Sequence, residues 1–137
     1  MKQLDCILLV DDDEITNFVH ESLIGDLGIA KQVLIARNGQ EAIQAIREQA
    51  ERGRHCPNLV FLDINMPVMN GFEFLEAYQQ LDESLRQSLI IVMLTTSLNP
   101  KDMERTKDTG VADFLNKPLN EDKLKQVLAK HFEIDVE

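Results

Sequence analysis

Five apolar runs of strand length recur along the chain: CILLV at 6–10, QVLIA at 32–36, LVFLD at 59–63, LIIVML at 89–94 and ADFLN at 112–116. They are continuous more than alternating, which suits strands buried on both faces in a covered parallel sheet. Between them the apolar residues fall on helical intervals. Ile15, Phe18, Val19 and Leu23 share one such face, and helical spacing also joins Ala42, Ile43, Ile46 and Ala50. Leu124, Val127, Leu128 and Phe132 form a third set, which ends the last helix at about Phe132. Gly28, Gly53 and Gly110 each follow a periodic stretch where a left-handed residue closes a helix. Asn99-Pro100 reads as an N-cap with a first-turn proline, and Asn120 as the N-cap of the last helix.

Five strands alternating with five helices form a βαβ series. Right-handed crossovers then give one parallel sheet with helices on both faces, an α/β doubly wound architecture. The 137 residues suit one core, and no repeat, low-complexity tract or linker divides them. The expectation is a single domain over residues 1–137.

Composition narrows the function. A formal net charge of −10 disfavours a direct grip on nucleic acid or on anionic membranes, because both need clustered Lys and Arg. No apolar run approaches the ~20 residues that cross a bilayer, and MKQLDCILLV lacks a small-residue cleavage site for a signal peptide. Two cysteines, Cys6 and Cys56, are too few for a disulfide framework in a chain of this size. They read as reduced thiols in a cytoplasmic protein.

In an open doubly wound sheet, ligands bind outside the carboxyl ends of the strands. The informative residues are therefore those that end or follow each run: Asp11, Asp12, Asp13 and Glu14, then Asp63, then Thr95, then Asn116-Lys117-Pro118. The second run ends in RNGQE, an ordinary turn and helix start. Two carboxylates about 4 Å apart repel by ~4 kcal/mol at an effective dielectric near 20. A raised pKa or a bound cation relieves that repulsion. Hard divalent cations such as Mg²⁺ take one or two carboxylates plus water and phosphate oxygens. A carboxylate is also a nucleophile toward phosphoryl groups, whose oxygens a lysine and a hydroxyl can stabilise. Singly, each residue has a plainer reading. Asp13 or Glu14 could cap a helix, Asp63 could sit in a turn, Thr95 could end a strand and Lys117 could be solvated. Together, at one sheet edge, they describe a cation site facing a phosphorylatable aspartate.

The segments ILLVDDD, LVFLDINMPVMNGFEFL, IVMLTTS and DFLNKPL, in this order and spacing, resemble the receiver domain of two-component response regulators over essentially the whole chain. The resemblance implies a flavodoxin-like three-layer sandwich, (βα)5, with strand order 2-1-3-4-5. It makes Asp63 the phosphoacceptor and Mg²⁺ the cofactor. Asp12 would bind the metal directly and Asp11 through water, with Asp63 and the backbone carbonyl of Asn65 completing the set. Lys117 would pair with phosphoryl oxygens, and the Lys117–Pro118 bond is cis in the family. Thr95 would be the switch hydroxyl and Phe114 the switch aromatic, while Pro67 and Gly71 shape the loop beside the acceptor. The implied function is acceptance of a phosphoryl group from a partner histidine kinase or histidine phosphotransfer protein. The signal would then pass to a downstream protein by contact or by onward relay, with no multiple-turnover small-molecule substrate.

Some positions depart from the common pattern. Thr96 is bulkier than the usual alanine or glycine, Phe114 lacks a phenolic hydroxyl, and Asp13 lies beyond the required acid pair. His20, His55 and His131 carry no catalytic role, since the phosphohistidine belongs to the partner.

A phosphatase similar to the haloacid dehalogenase group is the enzyme alternative, but it needs a second carboxylate two residues after the nucleophile. Asn65 stands there and cannot transfer protons. A degenerate receiver acting only as a binding module would lack one of the acids or Lys117. A flavin protein would need a phosphate-binding loop after the first strand, where this chain has carboxylates. The segment NPKDMERTKDTG has one clear apolar residue, Met103, so its helix is expected to be weakly anchored. The output surface is expected to run from Asn99 through the final helix, with the first helix around Phe18–Glu21 as the competing docking site.

Overall fold

Each apolar run becomes a strand; the first, third and fourth are covered on both faces, whereas the second and fifth, at the two sheet edges, are only partly buried. The computed structural model describes residues 3–54, 57–96 and 99–135. In chain order the elements are β1 (Leu4–Val10), α1 (Glu14–Leu27), β2 (Ala30–Ala36), α2 (Gly39–Glu51), β3 (Leu59–Asp63), α3 (Gly71–Tyr78), α4 (Glu83–Gln87), β4 (Ile90–Thr95), α5 (Pro100–Arg105), β5 (Val111–Asn116) and α6 (Glu121–Phe132). All strand pairings are parallel and the order is β2-β1-β3-β4-β5, as the resemblance implies.

Alternate residues of the same strand enter opposite layers. Leu8, Val10, Val60, Leu62, Ile91 and Met93 pack with Ile46 of α2 and Phe74 of α3. Ile7, Leu9, Leu59, Phe61, Val92 and Leu94 pack with Ile24 of α1 and with Leu124, Val127 and Leu128 of α6. A buried side chain of this size contributes about 1.5–3 kcal/mol relative to exposure. Truncating fully buried Phe61 to alanine would cost about 3–5 kcal/mol, because it also leaves a cavity between sheet and helices.

Most of the expected caps form, but Gly110 closes no helix: α5 ends at Arg105 with Thr106 as its C-cap, and Gly110 directly precedes β5. Gly28 closes α1 at φ 64°, Asn99 accepts from the Lys101 amide with Pro100 in the first turn, and Asn120 accepts from the Lys123 amide. Asp13 is the N-cap of α1, as its plainer reading had it. Among the described residues no helix is long and apolar enough to cross a membrane.

Three further expectations are corrected. A short sixth helix, α4, stands between α3 and β4, where five helices were expected. Most of the apolar face read for α1 turns away from the core: Ile15 is 74% and Phe18 69% exposed and Val19 is exposed too, only Leu23 of the four packs against the core, and Asn17, His20 and Ile24 are buried. The inward face is polar near its start because it binds loop backbone rather than apolar strand surface. Asn17 Nδ2 donates to the Asp11 carbonyl, and His20 Nε2 accepts from the Leu119 amide. Finally, Cys6 is fully buried in β1 and disulfide-bonded, not a reduced thiol. The sequence's other cysteine, Cys56, and His55 lie outside the described residues.

Candidate functional site

Parallel pairing brings the strand ends to one edge of the sheet, and the residues singled out in the sequence meet there. Asp11 follows β1 and Asp63 ends β3, 5% and 8% exposed respectively, while Asp12 is exposed. One carboxylate oxygen from each of Asp11, Asp12 and Asp63 lies within 4.8 Å of the others, so the three could hold a metal ion. An all-oxygen set of charged ligands suits a hard divalent cation.

Local backbone chemistry fixes each member. The Asp11 amide donates to the Ala36 carbonyl at 3.0 Å, and Asp11 Oδ1 accepts from the Asp13 amide at 2.9 Å. Asp63 Oδ1 accepts from the Ile64 amide at 2.9 Å. Beyond Asp63 the chain turns tightly and re-enters a helix at Gly71, whose amide donates to the Ile64 carbonyl at 2.8 Å. A Cβ on Gly71 would stand 2.6 Å from the Asp63 carbonyl oxygen, so a side chain there would displace the strand end that carries Asp63. Gly71 is thus the first residue of α3, and Asn70 is the helix's N-cap. Asn65 and Pro67 are exposed in the same loop, and Val68 takes a left-handed φ of 65°.

Lys117 completes the centre from the opposite side. Its Nζ lies 3.1 Å from Asp63 Oδ1 and also donates to Asp11 Oδ2. Its amide donates to the Thr95 carbonyl at 2.8 Å, and the Lys117–Pro118 peptide is cis. Thr95 is buried at the end of β4. Phe114 is half-buried in β5 and packs on the α2/α3 side of the core. Together with Pro100, Met103, Thr106 and Val111 it lines a surface groove beside α5. None of the six residues of α5 is buried, in agreement with its nearly polar sequence. Thr96 is exposed beside the strand end.

One ammonium serves two buried carboxylates, and the electrostatics reflect the mismatch. Burial, followed by the Asp11 charge, raises the Asp63 pKa against the opposing pull of Lys117. Burial would lower the Lys117 pKa, but the hydrogen bond to Asp11 and the charges of Asp63 and Asp11 outweigh it and raise it. Asp13 differs: hydrogen bonds from Thr16 and Ile15 lower its pKa, which is what a helix cap does. The arrangement can present an aspartate oxygen to an electrophile while holding cationic charge beside it.

The sequence reasoning missed Asn17 and His20, which tie α1 to two of the site's loops. The only signal was their polarity on the face opposite the apolar stripe.

Comparison with known proteins agrees with this geometry. The model of the response regulator receiver domain family matches residues 7–129. The two-component response regulator ORR41 of Oryza sativa subsp. japonica is 33% identical, with 90% of this chain matched to 91% of that one. Hybrid signal transduction histidine kinase B of Dictyostelium discoideum is 31% identical over 95% of this chain, which spans 7% of that protein's length. Among solved structures, a two-component response regulator from Cytophaga hutchinsonii superposes with a TM-score of 0.87 at 28% identity, covering 97% of this chain and all of that one. The chemotaxis protein CheY4 of Vibrio cholerae gives a TM-score of 0.74 at 29% identity, over 93% of this chain and 98% of that one. The chain belongs to the response regulator receiver domain family.

Proposed function

We propose that Asp63 is the phosphoacceptor and that the donor is a histidine kinase or histidine phosphotransfer protein. The observation that carries this reading is the 3.1 Å approach of Lys117 Nζ to Asp63 Oδ1 beside the carboxylates of Asp11 and Asp12. An Asp63 carboxylate oxygen attacks phosphorus, the P–N bond to the donor imidazole breaks, and the imidazole nitrogen keeps the bonding pair and takes up a proton. Lys117 neutralises charge on the phosphoryl oxygens, and Thr95, at the neighbouring strand end, supplies a hydroxyl to one of them. Asp11, Asp12 and Asp63, with the Asn65 carbonyl, would hold Mg²⁺, which supplies further charge neutralisation when bound. The Lys117 ammonium and the acid group hold the nucleophile in place, so little rearrangement is needed at attack.

The reading extends to one phosphoryl group per chain rather than turnover of a small substrate. Asn65, two residues after Asp63, cannot act as the acid that a phosphatase of this type requires. Output is assigned to the surface from Asn99 through α6, where α5 is thinly anchored and Phe114 borders the groove. Incoming donor contact is assigned to α1, whose Ile15, Phe18 and Val19 are exposed directly after the acid pair. A cytoplasmic setting is part of the reading, although the disulfide at Cys6 lends it no support.

The test is transfer from a phosphohistidine-bearing phosphotransfer protein, followed by radiolabel with and without Mg²⁺. The reading expects label to move to this chain to a limit of one per molecule, and only with the cation. Continuous release of inorganic phosphate from ordinary phosphomonoesters would support the phosphatase alternative instead.

A further inference from the structure

We propose that His20 is a positioning residue for Lys117: through its bond to Leu119, α1 holds the β5–α6 loop in the register that presents the ammonium to Asp63. His20 is 2% exposed, and its Nε2 accepts from the Leu119 amide at 3.1 Å. Leu119 is itself buried and follows Lys117 by two residues. The bond therefore fixes the chain just beyond the lysine, while the Lys117 amide to the Thr95 carbonyl fixes it just before. Lys123 Nζ adds contacts to the carbonyls of Asn116 and Pro118 from a half-buried side chain at the start of α6. His20 is a buried restraint on this segment that comes from a different helix, α1.

The same helix face carries a second restraint. Asn17, one turn earlier, donates from Nδ2 to the Asp11 carbonyl at 2.8 Å. Residues three apart on a helix lie on one side, so a single face of α1 grips both the backbone of Asp11 and the loop of Lys117. Those two residues are partners across the site. The helix thus acts as a common brace that sets how far the ammonium stands from the acids.

An amide N–H needs a lone pair, so Nε2 is unprotonated and the ring proton sits on Nδ1. Burial, the largest influence, lowers the His20 pKa and keeps the ring neutral, with Lys117 acting in the same direction against the pull of Asp11. Leucine at this position would leave a buried N–H without an acceptor, and the loop would relax to hydrate it. Lys117 would then lose its aim while Asp11, Asp12 and Asp63 kept theirs.

This inference rests on the reading of Asp63 as acceptor, and the test separates the two. His20→Leu and His20→Gln are compared with wild type for phosphorylation rate with acetyl phosphate at saturating Mg²⁺. Beryllofluoride affinity and affinity for Mg²⁺ alone are measured on the same variants. His20→Leu is expected to lose about tenfold to a hundredfold in rate and in beryllofluoride affinity, with Mg²⁺ affinity unchanged. Glutamine, whose Oε1 can accept from Leu119, should restore both. Should the leucine variant not fold, His20→Asn, too short to reach Leu119, carries the same expectation. Unchanged rate in the leucine or asparagine variant overturns the proposal. So does a parallel loss of Mg²⁺ affinity, or failure of glutamine to rescue. If wild type gains no phosphoryl group on Asp63, the acceptor reading fails, and beryllofluoride binding alone decides the role of His20.

Discussion

Lys117 is held at both ends of its own geometry: its amide is bound to the Thr95 carbonyl at 2.8 Å and its ammonium stands 3.1 Å from Asp63 Oδ1. The backbone bond ties the lysine to the strand beside the acceptor strand. The position of the ammonium therefore follows from sheet pairing as much as from attraction between charges.

Replacing Lys117 by methionine keeps the aliphatic stem and removes the charge. Asp11 and Asp63 would then face each other unpaired at low exposure. Breaking a buried pair in this way costs about 3 kcal/mol. Urea denaturation without divalent cations should show that loss, and added Mg²⁺ should recover part of it by mass action. An unchanged midpoint would mean that solvent already screens the two acids.

Asp63 gives a pH dependence with a definite sign. Its pKa in the folded protein is raised by burial and then by Asp11, so the folded state holds the proton to higher pH than the unfolded chain does. The stability this contributes is present below the ordinary value of 3.8 and is lost as pH rises through the folded pKa. Asp63→Asn has no such titration. In EDTA, the difference curve between wild type and this variant should fall across the acid range, leaving the asparagine protein more stable at neutral pH. A flat difference curve would show that Asp63 titrates alike in both states.

Val68 carries a different kind of cost. It is β-branched yet adopts φ 65°, and it is 74% exposed, so little packing offsets the strain. Val68→Asn should stabilise the protein by about 1 kcal/mol, since asparagine tolerates the left-handed region. Thermal unfolding measures this directly, and a lower melting temperature would mean that the valine side chain is held by contacts that outweigh its strain.

The legible part of this protein is the part whose chemistry is local in sequence. A strand that ends on an acid puts that acid at the sheet edge whatever the neighbours do, so Asp11, Asp63, Thr95 and Lys117 could be placed before any contact was seen. The caps at Asn99 and Asn120 were readable for the same reason. The face of α1 was not. Periodicity reports that a helix has an apolar side, and burial usually follows it. Here the inward side instead serves backbone groups of Asp11 and Leu119, the second of them 99 residues away. The disulfide at Cys6 was hidden likewise, because spacing along the chain carries no information about which segments the sheet brings together. The short helix α4 has five residues, none of them buried, and so has no apolar period to read.

The most direct measurement is peptide-resolved mass spectrometry of the protein after incubation with acetyl phosphate, with and without Mg²⁺, on wild type and Asp63→Asn. The account predicts one acid-stable, base-labile phosphoryl group on the peptide containing Asp63, formed only with the cation and absent from the variant. A phosphoryl group gained by Asp63→Asn at the wild-type rate, or found on a different residue of the wild-type chain, would contradict it.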